Sequence, residues 1–129
     1  MNVLVDTSLW VAHFRQTNVA LVNLIERDSV LGHPLVLAEV ASGTPPAPRE
    51  QALGDMALLG QAHQASWAEV MAFIEREKLY GLGCGFVDIA LLASTCVTPE
   101  ATLWTLDKKL QDLAGRFGVQ FALPTKRKH

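Results

Sequence analysis

Cysteine is scarce in this chain: Cys84 and Cys96 are the only two in 129 residues. They are too few for a disulfide framework, and with no His/Cys cluster the sequence has no zinc-ligand spacing. Long apolar runs are missing as well. Half of the residues are hydrophobic, yet no stretch approaches the about 20 residues of a membrane-spanning helix. The start has neither the basic flank nor the long apolar centre of a secretory signal, so a cytoplasmic protein is expected. Positive charge is not in excess: 11 Lys and Arg stand against 13 Asp and Glu, a net charge of −2. Nucleic-acid binders usually present a basic surface, and here the only basic cluster is Lys126-Arg127-Lys128 at the end. Size and composition fit one domain with an adequate core over residues 1–125, followed by a basic tail over 126–129.

What is present is an alternation of strands and helices. Val3 to Val5 is apolar throughout, as in a strand buried on both faces, and Ser8 to Phe14 then reads as helix. Ala20, Leu21, Leu24 and Ile25 recur at helical spacing from Asn18 to Asp28. Gly32 and His33-Pro34 interrupt that pattern, and Leu35 to Ser42 reads as a strand end running into a helix that carries Glu39 and closes at Gly43. The stretch TPPAPRE is a loop, with Pro48 suited to the first turn of the next helix. Gln61 to Ala65 reads as a weak strand. Ser66 and Glu69 form a capping box before Val70, Phe73, Ile74 and Leu79, which predicts a helix over 66–80. After GLGCG, Phe86 to Val97 is a very apolar helix with Asp88 in its first turn. ATLWT is a strand, DKKLQDLAGRFG a helix and VQFAL a last strand. The alternation predicts an α/β fold with a small central parallel sheet flanked by helices.

In such sheets ligands bind outside the carboxyl ends of the strands, where Asp6 and Asp107 both lie. Glu39 and Asp88 sit near the starts of two helices, in apolar surroundings where a charge needs a partner. Each acid alone has an ordinary explanation: Asp6 and Asp107 as helix caps, Glu39 and Asp88 as acids favoured by a helix dipole. Together they would repel one another unless protonated or neutralised by a cation. Magnesium and manganese suit carboxylate oxygens, whereas zinc prefers the His and Cys that are lacking. Without these four acids the balance is 11 basic to 9 acidic residues, so net charge excludes no nucleic acid. His13, His33, His63 and His129 pair with no serine or cysteine in a nucleophilic motif and read as structural or surface residues.

The segments VLVDTSLW, LAEVASG with Glu39, GFVDIALLAS with Asp88, and LWTLDKKL with Thr105 and Asp107 form an ordered set. It resembles the PIN-domain ribonucleases, and within them the VapC-type toxins of type II toxin-antitoxin pairs. The resemblance covers essentially the whole chain. It implies a PIN-like fold and an endoribonuclease dependent on Mg2+ or Mn2+, its metal site and catalytic residues being Asp6, Glu39, Asp88 and Asp107. Thr7, Ser8 and Thr105 would support that site by hydrogen bonding. It also implies an RNA substrate, a cognate VapB-like antitoxin and a homodimer. Two departures stand out: Lys109 replaces an acid that many relatives carry, and after the LAEVASG segment only Arg49 remains of the usual basic residues. Trp10, Phe14 and the helix over 18–28 carry surplus apolar surface, which suggests a groove for an antitoxin segment. The alternative is a PIN-like module that binds RNA or protein without cutting; four acids where phosphates must dock argue against it.

Overall fold

The chain begins in the middle of its own sheet. In the computed structural model, which describes residues 1–123, β1 (Asn2–Val5) lies between β2 (Val30–Gly32) and β4 (Ala101–Trp104), and β3 (Gly60–Gln61) flanks β2. All pairings are parallel, with Val3 opposite Val30 and Thr102, and Leu31 opposite Gly60. The α/β class and the parallel sheet expected from the alternation are therefore observed. Val3, Leu4 and Val5 are fully buried, as an apolar strand covered on both faces must be.

The connections are helical: α1 (Thr7–Arg15) and α2 (Val19–Glu26), α3 (Pro34–Ser42) and α4 (Arg49–Ala57), α5 (Trp67–Glu77) and α6 (Phe86–Val97), then α7 (Lys108–Arg116). Helix α6 buries seven consecutive residues, Ile89 to Thr95, which explains why it is apolar all round rather than on one stripe. Truncating a fully buried leucine such as Leu91 or Leu103 is expected to cost about 2–5 kcal/mol. Helix α5 begins with both bonds of the expected capping box, and Lys78 closes it in the left-handed conformation at φ 55°.

Three segments depart from the sequence reading. The second strand lies at Val30–Gly32, and Leu35 to Ser42 is helix throughout. His33 caps that helix through its ring and Pro34 fills the first turn, so the helix starts before the apolar run does. Helix α2 accordingly stops at Glu26, and Asp28 turns the chain into β2 with φ 56°. The weak strand is Gly60–Gln61 and not 61–65, because the Ala65 N–H leaves the ladder to bond the Ser94 hydroxyl. VQFAL forms no strand: Gln120 makes a single bridge to Leu103, and the Phe121 ring then packs on Trp104 at 4.7 Å. The basic tail at 126–129 lies outside the described residues.

Candidate active site

Parallel strands bring their carboxyl ends to one edge. Asp6 follows β1 directly, and Asp107 lies three residues past the end of β4. Asp6 is only 5% exposed, a costly place for a carboxylate unless its oxygens are engaged. They are. Oδ1 accepts the Thr7 N–H at 2.8 Å. Oδ2 accepts the hydroxyls of Ser8 at 2.8 Å and Thr105 at 2.7 Å. Each hydroxyl has one proton to donate, and with that proton on Asp6 each oxygen accepts a backbone N–H. Ser8 takes that of Leu106 and Thr105 that of Asp107. The Gln111 side chain donates to the Thr105 carbonyl at 2.8 Å. The turn from β4 into α7 is thus built around the Asp6 carboxylate.

The other acids approach from three helices. Glu39 is the sixth of nine residues in α3, past its middle, so the helix-start reading of Glu39 does not hold. It accepts the Thr7 hydroxyl at 2.6 Å, which ties α3 to the start of α1. Asp107 caps α7 by accepting the Leu110 N–H at 2.9 Å. Asp88 is half-buried in the first turn of α6 and takes a long bond of 3.4 Å from the Gly85 N–H. Burial raises the Asp88 pKa above its ordinary value, the Asp6 charge raises it further, and Asp107 and Glu39 add to the effect; the Gly85 N–H opposes it. Asp88 therefore lies within the field of the other three carboxylates, as a like charge in a shared site does.

They do not yet enclose a point. Among the described residues, no three Asp, Glu, His or Cys side chains stand close enough together to hold an ion. Asp6, Glu39 and Asp107 each accept a hydrogen bond from a neighbouring N–H or O–H donor. The donor set is nevertheless all oxygen, four carboxylates and neighbouring hydroxyls, which fits magnesium or manganese in kind. Two of the described histidines are engaged in local structure: His33 accepts the Leu35 N–H through Nδ1 and bonds Ser94 through Nε2, and His13 accepts the Asn18 N–H through Nδ1.

Several residues have uses the sequence does not reveal. Arg49, the cation left near the proline loop, donates to the Ala41 carbonyl at 2.6 Å and so closes the end of α3. Lys109 lies across Gly83, its Nζ where a side chain at that glycine would have to pass. Trp10 is only 5% exposed and belongs to the core. With the half-buried Phe14, and with Ile25 of α2, it still lines an open cavity of about 380 Å³ that α4 closes through Met56. The most exposed aromatic side chain lies elsewhere: Trp67 is 72% exposed and packs on Phe86 at 4.7 Å.

No protein-family model matches the chain. A protein named Ribonuclease VapC32, from two strains of Mycobacterium tuberculosis (CDC 1551 / Oshkosh and ATCC 25618 / H37Rv), is 38% identical over 120 residues, which is 93% of this chain and 96% of the relative. The chain belongs to the VapC ribonuclease family. The similarity spans a whole domain, so membership among the VapC proteins does not rest on the short patterns around the acids. Within this VapC fold, Asp6 and Asp107, which helix capping would explain singly, both lie at the carboxyl edge of the sheet.

Proposed function

We propose that the chain is the toxin of a VapBC-type pair, an endoribonuclease that hydrolyses RNA phosphodiesters with magnesium or manganese. The observation that carries this reading is the hydrogen-bonded assembly at the carboxyl edge of the sheet, where Ser8 and Thr105 hold Asp6 and Thr7 joins Asp6 to Glu39, with Asp88 in their field. A bound divalent cation would supply charge neutralisation and an acidified water there. Asp6, Glu39, Asp88 and Asp107 would hold it. Ser8 and Thr105 orient Asp6, Thr7 orients Glu39, and Gln111 steadies the turn that carries Thr105 and Asp107. Asp88→Asn removes one charge with little change of shape. It is expected to lower RNA cleavage by roughly two orders of magnitude or more while the protein stays folded. Unchanged cleavage would return Asp88 to a capping role.

The partner reading is a cognate VapB-like antitoxin whose apolar anchors enter the cavity lined by Trp10, Phe14 and Ile25. Phe14→Ala is expected to weaken antitoxin binding by about 2 kcal/mol or more; affinity equal to wild type would move the groove elsewhere. A homodimer is the further partner reading; Trp67 and Met71, one helical turn apart on α5 and each at least 45% exposed, offer apolar surface for it. No helix among the described residues is long and apolar enough to cross a membrane, and the place of action proposed is the cytoplasm.

A further inference from the structure

Glu39 has two neighbourhoods. It joins the acidic cluster through Thr7, and it lines a second cavity of about 340 Å³ with Val11, Phe14 and Arg15 of α1 and Pro45 and Pro46 of the following loop. That volume lies in the range of ligand sites, about 300–1,000 Å³. Its walls are largely apolar, and among the described residues Arg15 is the only cation on them. Arg15 is exposed and enters no ion pair among the described residues. Nearby Arg49 is held by the Ala41 carbonyl, Lys108 by Asp112 and Arg116 by Glu77.

We propose that this cavity is a nucleotide subsite for single-stranded RNA. Arg15 meets a phosphate beside the linkage to be cut, and the base of that nucleotide lies against Phe14 and the two prolines. The inference rests on the ribonuclease reading above. Charge decides between occupants. A polyanion drawn across four carboxylates needs positive charge close by, and a guanidinium grips phosphate with paired hydrogen bonds. A basic peptide drawn to Glu39 would instead meet the repulsion of Arg15. The apolar walls complement the face of any base, so the subsite holds RNA without choosing its sequence.

The test uses the whole chain carrying Asp88→Asn, so that binding is read without turnover, and a fluorescent random-sequence RNA of about twelve nucleotides, within the span such grooves cover. Affinity is measured across a salt series. Adding Arg15→Gln is expected to reduce the slope of log K against log salt by about 0.7, one phosphate contact on a single strand. Val11→Glu, one helical turn earlier, should act in the same direction by pairing with Arg15. Arg27→Gln, exposed at the end of α2, should leave the slope unchanged. In otherwise wild-type protein, Arg15→Gln should raise KM for RNA and leave kcat in place. An unchanged slope in folded Arg15→Gln overturns the subsite, and so does a loss confined to antitoxin binding, which would assign the cavity to a peptide. An Arg15-dependent slope in a protein that never cleaves RNA would remove the ribonuclease reading while supporting the subsite.

Discussion

Asp6 and His33 hold matching places in the fold. Each follows a parallel strand, each caps the helix that comes next, and each is 5% exposed. Each also reaches a hydroxyl on another element, Thr105 for Asp6 and Ser94 for His33. Their chemistry separates them. Asp6 shares its edge of the sheet with Asp88, whose pKa its charge raises, whereas both ring nitrogens of His33 are engaged and burial lowers its pKa. A buried polar cap is thus not in itself a site. The convergence of more charge than local structure needs is what separates the two.

The largest expected effect is on activity. Asp6→Asn should lower RNA cleavage by roughly two orders of magnitude or more, whereas His33→Asn, which keeps a capping side chain, should cleave as wild type once folded. If both variants lose activity equally, the contrast between the two strand ends is wrong.

Metal binding sharpens the same contrast on stability. Magnesium or manganese at a hundredfold excess over Kd should stabilise wild type by about 2.7 kcal/mol by mass action on the native state. His33→Asn should respond equally and Asp6→Asn much less, read as melting temperature with and without the ion. A full response from Asp6→Asn would show that Asp6 is not a ligand.

The smallest effect separates the two caps by pH. Burial lowers the native pKa of His33, so as pH falls past the ordinary value of 6.5 the unfolded chain takes up the proton before the native one does. Its contribution is therefore present above that pH and lost as pH falls through the lower native pKa. His33→Asn should be less stable than wild type at pH 7.5, by about 1–2 kcal/mol, and the gap should narrow on acidification. A gap that stays constant in chemical denaturation from pH 7.5 to 5 would mean that His33 does not titrate with unfolding.

The strands and helices were legible where one local cause dominates. Val3 to Val5 is apolar enough to be recognised as a central strand, and Ser66 with Glu69 announces α5. The last segment is not a strand because strand formation there depends on register with a partner: after α7 the backbone bonds Leu103 from Val119 and Phe121 in a single bridge, and the pairing goes no further. Glu39 was found as an acid but misplaced along its helix, because the ring of His33 caps α3 earlier than the apolar pattern suggests. Arg15 carries no signal in the sequence, since an exposed arginine at a helix end is ordinary without a cavity beside it.

The sequence by itself determined the class of fold, through the alternation of apolar strands and patterned helices, and it contained the four acids in an order that resembles one family. Tertiary structure decided which polar groups meet. It carried the Thr105 hydroxyl across 99 positions to Asp6, engaged Arg49 on a carbonyl and left Arg15 on a cavity that Glu39 also lines. The physical reason is range. Propensity, capping and amphipathic period act within a few residues, whereas hydrogen-bond partnership and electrostatic coupling depend on distances that exist only after the strands have paired.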